Sequence, residues 1–296
     1  MLFLGIPSPQ SSNLLEKSLI DLCHFPLFIL IGYSVLSSFK PTLSDQWMRW
    51  VAVLMIPFLF GVLIEVVQSQ VDRHPSLYDL WTDVLGIVVA LLLYLSWKIR
   101  AISVNKALLA ASALITIALS QPLYWSWLYW ERQQAMPDLL NINSPLRVLL
   151  LNVNGEPINV VEIMDAEQTL LATKLAIKVP LYGSRWAGIK WREPEPDWRG
   201  YTDLTFEIYS PLDYRQKVAL RIHDQQHDNQ YHDRYNKSFD LYPGYNQFEI
   251  KLEDIESQLT GRLMDLSQIA GISIFSSEQP EGTEVYLLNF RLIQKK

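Results

Sequence analysis

The segment EVVQSQVDRHPSLYDLWTDVLG, residues 65–86, sets polar and ionisable side chains directly between two long apolar runs, residues 50–64 and 84–97. Each run approaches the roughly 20 residues that cross a bilayer as a helix. Charge at that depth is costly unless it faces a bundle interior or a watery cavity and finds a partner there. Glu65 and Gln68 stand three apart and share a face at the end of one helix, whereas Asp79 and Asp83 stand four apart and share a face at the start of the next. The short connection containing His74-Pro75 makes the two helices an antiparallel hairpin. Glu65, Gln68, Arg73, Ser76, Asp79 and Asp83 are therefore expected to meet at one membrane face.

Four spans are legible, at about residues 19–39, 50–68, 80–97 and 107–127, with Pro26 and Pro57 inside two of them. Lys40 and Arg49 follow the first span, and Lys98, Arg100 and Lys106 follow the third. The positive-inside rule makes those loops cytoplasmic, so the hairpin loop and everything after Trp130 fall outside. The run PLYWSWLYW ending at Trp130 suits an aromatic belt at the outer interface. The same count puts the N-terminus outside, with Asp21 and His24 at the outer end of the first span, and Asp21 is one turn from His24, close enough to accept its hydrogen bond.

Residues 1–130 carry seven Lys/Arg and seven Asp/Glu, so the net charge of −6 resides in the remainder of the 296-residue chain. That split implies a membrane domain, 1–130, a polar linker, 131–145, and an acidic extracytoplasmic domain, 146–296. An acidic domain without a basic stripe excludes nucleic acid as a partner. The single cysteine, Cys23, allows no intrachain disulfide or thiolate metal site and reads as a packing residue. The start of the chain lacks the basic region, apolar core and small-residue cleavage site of a signal peptide. No nucleophile motif, Gly-rich phosphate loop or metal-ligand spacing is present, so no cofactor is implied.

Beyond the linker the pattern changes to short alternating segments: 147–153, 170–177, 204–209, 218–223, 248–252, 272–275 and 285–293. With turns such as Pro243-Gly244 and Glu281-Gly282 between them, they predict an all-β antiparallel sandwich. Alternation points Leu204, Phe206, Ile208, Leu220, Ile222, Phe248, Ile250, Leu252, Leu288, Phe290 and Leu292 inward. Glu207, Tyr209, Arg221, His223, Asn289 and Arg291 then face outward. Aromatic rings stack on sugar faces while planar polar groups bond to hydroxyls, so such a face suits carbohydrate. Asp224 and His227, in the loop that follows, extend this set. His223, His227 and His232 are each followed by Asp, but spacings of four and five running from a strand into a loop do not force the imidazoles together. That loop reads as a ligand-contacting segment tethered by Arg234 and Asn236 rather than a metal site.

Two resemblances rest on these residues. The run Glu65-x2-Gln68-x4-Arg73-x2-Ser76-x2-Asp79-x3-Asp83-x2-Gly86 resembles the signature of VanZ-like membrane proteins, with Asp83 where that family usually has Asn. A second family motif, Asp-Lys followed by His-Phe, is matched only by Asp21 and His24-Phe25. The resemblance covers about residues 5–100 and implies a helical membrane bundle in the cell envelope, in a family whose namesake is linked to glycopeptide-antibiotic resistance. The C-terminal pattern, from Trp198-Arg199-Gly200-Tyr201 to YLLNFRL, resembles the galactose-binding-like jelly rolls seen as carbohydrate-binding modules.

Taken together, these readings lead to a multi-pass protein of the bacterial inner membrane with a periplasmic or extracellular sandwich. It would recognise a glycan or lipid-linked glycoconjugate in envelope or exopolysaccharide metabolism or antibiotic resistance. Two other classes stay open. One is a membrane hydrolase or transferase acting on a lipid-linked headgroup through His24 and Glu65 or Asp79; the other is a scaffold with a protein-binding sandwich.

Overall fold

The computed structural model describes residues 13–68, 77–144, 147–156, 158–164, 173–277 and 279–294. The chain divides into two compact units, Met1–Trp127 and Leu128–Lys296. The first is helical: α1 (Leu14–Leu22), α2 (His24–Phe39), α3 (Trp47–Gln68), α4 (Leu77–Trp97) and α5 (Val104–Gln134), whose last turns belong to the second unit. Four stretches are long and apolar enough to cross a membrane: Leu14–Phe39, Trp47–Ile64, Tyr78–Trp97 and Val104–Gln134. Leu30, Leu59 and Leu109 are among the large apolar side chains these helices leave exposed, as expected of surfaces that face lipid rather than water.

The first span begins earlier than residue 19, at an Asn13 capping box in which Asn13 Oδ1 accepts from Glu16 N at 2.8 Å. It is also broken. Pro26 has no N–H to offer the Leu22 carbonyl and its ring crowds that oxygen, so α1 ends at Leu22 and Cys23 N bonds Ile20 O instead, at 3.0 Å. The break leaves Cys23 exposed, not packed as its apolar context predicts, while His24, Phe25 and Phe28 are buried. Small residues let α2 and α4 approach closely: a Cβ on Gly86 would lie 2.6 Å from the Phe25 carbonyl, and one on Gly32 would lie 3.0 Å from Ala90 Cβ.

The second unit is a jelly-roll sandwich of two five-stranded antiparallel sheets, ordered β1-β4-β9-β6-β7 and β2-β3-β10-β5-β8. The strands are β1 (Leu151–Val153), β2 (Val160–Met164), β3 (Thr173–Pro180), β4 (Ala187–Trp191), β5 (Asp203–Ser210), β6 (Gln216–Asp224), β7 (Tyr235–Leu241), β8 (Gly244–Lys251), β9 (Ile269–Ser276) and β10 (Glu284–Ile293), with a short α6 (Leu252–Ser257) after β8. Alternating residues of both sheets fill one core around Trp198, Phe206, Ile208, Leu220 and Phe290. The sequence pattern misses β2, β4 and β7. It also extends β1 too far, because Arg147–Leu150 is a 3-10 turn.

Two expectations are corrected by one irregularity. The register of β10 against β5 slips between Leu287 and Asn289, which makes Leu288 an extra residue of a β-bulge. Leu287 takes the core position, and Leu288 faces the groove beside Asn289 instead of the interior. Past the bulge β3 no longer flanks β10, and residues expected to be linker take its place. Leu139 N donates to Phe290 O and Leu292 N to Pro137 O, both at 2.9 Å, while Leu139 and Leu140 are buried in the core. The expected linker is thus partly helix and partly sandwich, since residues 131–134 lack a breaker before Pro137 and the apolar Leu139-Leu140 pair has a sheet to pack on. Phe248 is only partly buried at the core edge.

Candidate functional site

In the helical unit, the break at Cys23 turns His24 toward α4. His24 Nδ1 lies 3.0 Å from Asp83 Oδ1 and both side chains are buried. Asp83, which the sequence reading did not pair with His24, is thus a hydrogen-bond partner of that imidazole. Phe28 stacks beside the imidazole, 6.4 Å between centroids, and Gly61 leaves room for Asp83 Oδ2, which a Cβ there would meet at 2.6 Å. That oxygen accepts no hydrogen bond among the described residues. Asp79, one turn earlier, is also buried. Arg73 and Ser76, and the side chains of Glu65 and Gln68, lie outside the described residues. Asp83 thus meets an imidazole inside the helical unit.

The sandwich divides its predicted sugar-binding residues between opposite faces. Glu207 and Tyr209 on β5, with Asn289 and Arg291 on β10, face outward from one sheet, whereas Arg221 and His223 on β6 face outward from the other. On the first face Tyr209 packs against Tyr245 and Tyr286, with centroids 5.0 and 6.1 Å away. Glu207, Leu288 and Asn289 line a groove of about 380 Å³ there. Asp224 is not on a surface at all. It is buried, accepting from Arg262 Nη1 and Nη2 at 2.5 and 2.8 Å and from Asp265 N at 2.8 Å.

Arg262 also donates through Nε to Asp233 Oδ1 at 2.6 Å, and Asp228 N donates to Asp233 Oδ2 at 2.8 Å. The guanidinium holds the Asp233 carboxyl down at about 2. Asp224 is likewise lowered: burial raises it, but the bonds from Arg262 and Asp265 outweigh that. His227, Asp228 and Asp233 offer donor atoms within 4.8 Å of one another, yet the Asp233 carboxylate is already engaged by Arg262, and His227 Nδ1 lies 2.7 Å from Asp233 O. A cation would have to compete with that guanidinium. His223 is half-buried over Gly271, whose Cβ, if present, would stand 2.2 Å from His223 Nε2. It packs on His227 at 4.8 Å, and burial pushes its pKa below the usual imidazole range.

The larger groove, about 660 Å³, crosses the outer face of the β4-β9-β6-β7 sheet. Its floor is Phe275, which stands opposite Ala219 in the β6-β9 register. Arg221 Cζ lies 4.8 Å above the Phe275 ring, and Trp186 meets its edge at 5.5 Å. Trp186 and Tyr231 are 51% and 71% exposed, so two rings stand free at the rim. Arg234 lies 5.5 Å from the Tyr231 ring, and Asn236 Nδ2 donates to Tyr231 O at 3.3 Å, which confirms the expected tether. Gln216 and Gln279 both reach Ser276 Oγ, at 3.2 and 3.1 Å, fixing amides at the far wall. Of the residues singled out as sugar contacts, only Arg221 lines this groove. Phe275 was reachable by parity, because Ile272 and Ile274 are core and the residue after Ile274 must face out. Trp186 and Tyr231 sit in connections, where no period marks them.

No family model matches the chain, and no curated protein matches it. Among solved structures the sandwich is similar to the family 11 carbohydrate-binding module from Clostridium thermocellum in complex with a beta-1,3-1,4-mixed-linked tetrasaccharide. The two share 16% identity over 53% of this chain and 94% of the module, with a TM-score of 0.35. It is also similar to an exo-beta-agarase, at 17% identity over 54% of this chain and 25% of the enzyme, with a TM-score of 0.40. A third likeness is to the CBM22-1-GH10 modules of the Clostridium thermocellum xylanase 10B complexed with xylohexaose, at 9% identity, 54% of this chain, 28% of that one and a TM-score of 0.35.

Proposed function

We propose that this is a membrane-anchored glycan receptor of the bacterial cell envelope, whose sandwich binds oligosaccharide in the groove over Phe275. The observation that carries the reading is the combination in one open groove of two rim aromatics, Trp186 and Tyr231, with planar polar groups from Arg221, Asn236 and Gln279. Rings offer stacking surfaces for sugar faces, and fixed amide and guanidinium planes discriminate among hydroxyls. The loop charges Lys40, Arg49, Lys98, Arg100 and Lys106 support an orientation with the sandwich outside the cytoplasmic membrane. The VanZ-like motif from Glu65 to Gly86 and the buried His24–Asp83 pair support a helical domain that engages a lipid-linked or otherwise amphiphilic glycoconjugate, in envelope or exopolysaccharide metabolism.

The test is a glycan array probed with the full-length protein in nanodiscs, with and without calcium. Saccharide binding that falls at least tenfold in Trp186→Ala and in Tyr231→Ala is the expected result. Binding untouched by both substitutions would move the site elsewhere, and a folded protein that binds no saccharide would leave the sandwich as a protein-binding or structural module.

A further inference from the structure

Among the described residues, Arg132 pairs with Glu195, Arg199 with Asp197, Arg215 with Asp240, and Arg262 with Asp224 and Asp233. Arg221 and Arg234 differ. Among the described residues no carboxylate pairs with either; both lie against aromatic rings, and the Nε of each is buried without a hydrogen-bond acceptor. They line the same groove, where Lys217 and Lys237 add two more cations and, among the described residues, no Asp or Glu is in the lining. This cationic strip lies in the part of the chain that carries its net negative charge.

Two guanidiniums held near one another on a half-buried face repel, and their buried donors lack the acceptor that would offset desolvation. Burial, followed by the charge of Arg234, pushes the Arg221 pKa below its ordinary range, the mark of a cation without its anion. The chemistry that resolves both problems is an anion with planar or tetrahedral oxygens, because guanidinium forks bind such groups through paired N–H donors. Trp186 and Tyr231 at the rim require that the anion be carried on something with a flat apolar face.

Building on the glycan reading above, we propose that the groove selects an acidic oligosaccharide, in which a carboxylate or sulfate substituent on the sugar sits between Arg221 and Arg234 while neighbouring rings stack on Trp186 and Tyr231. A neutral saccharide can meet the guanidiniums only through its hydroxyls, leaves their charge unanswered and binds more weakly. The carboxylate and sulfate forms share the same recognition and differ in geometry, so they are separate arms of one test.

Full-length protein in phosphatidylcholine nanodiscs is titrated calorimetrically with oligogalacturonate, with a sulfated carrageenan oligosaccharide and with cellohexaose. An acidic oligosaccharide is expected to bind at least tenfold more tightly than cellohexaose, with affinity that falls as sodium chloride rises. Arg221→Gln and Arg234→Gln should each remove most of that preference, lowering affinity for the acidic ligands at least tenfold more than affinity for cellohexaose, whereas Trp186→Ala should weaken all three. Equal affinity for acidic and neutral ligands, unaffected by either arginine substitution, overturns the acidic selectivity and leaves the glycan receptor standing. Binding of no saccharide of any charge overturns both. The preference of the unsubstituted protein needs no variant to fold, so the selectivity is decided even if one substitution destabilises the sheet.

Discussion

The Arg262 guanidinium ties its own segment to the loop that follows β6. It bonds Asp224 at the end of β6 and Asp233 in the following loop, and its backbone neighbours run into β9. Removing one partner from such a pair leaves buried charge exposed to repulsion and costs about 3–5 kcal/mol. Arg262→Met should therefore lower the stability of the sandwich by that amount, read as a shifted denaturant midpoint of tryptophan fluorescence in the full-length protein; a shift worth under about 1 kcal/mol would show the network to be dispensable. Acid should act on the same bonds. The Asp233 pKa is depressed from 3.8 to about 2, so its contribution is complete above pH 3.8 and is lost as pH falls through about 2. The variant should lose this acid sensitivity along with the stability.

Elements that bury one side cleanly were legible from sequence, and those that do not were hidden. The strands β5 and β6 alternate almost without error, and the four apolar helices announce themselves by length. In contrast, β7 places Asn236, Lys237 and Ser238 in succession at the sheet edge, and β4 has Gly188 pressed against the Ile274 carbonyl, so neither reads as a strand. The site follows the same division. Arg221 could be assigned by its parity on β6, whereas its partner Arg234 and the rim rings depend on how connections fold back over the sheet. His24 was legible as a polar residue at the end of the first span, but its burial against Asp83 was not, since a proline-induced break resets which face it presents. The bulge at Leu288 misled the inward pattern, yet it makes a sharp prediction. With Leu288 deleted, Leu287 and Asn289 become neighbours already in the correct in-out order opposite Ile208 and Glu207. The deletion should leave the thermal midpoint within a few degrees of the parent, and a collapse of the fold would mean that the bulge is required to admit the Leu139 segment.

At the scale of the whole molecule, the sequence joins a lipid-suited helical unit to an acidic sandwich, and the proposed orientation puts the sandwich outside the cytoplasmic membrane. The expected outcome for intact spheroplasts is that externally added protease removes the sandwich while leaving the helical part membrane-bound. Cleavage only after lysis would reverse the orientation and, with it, the envelope role. The strand β10 has a further bearing on how such a chain is made. It is flanked by β5 on one side and on the other by β3 before the bulge and the segment after α5 beyond it. The first residues of the domain to leave the ribosome therefore wait for almost the last before their hydrogen bonds can close. Contacts between such distant parts of a chain form slowly, and a chain cut short before β10 leaves β3, β5 and the segment after α5 each open along one edge at once.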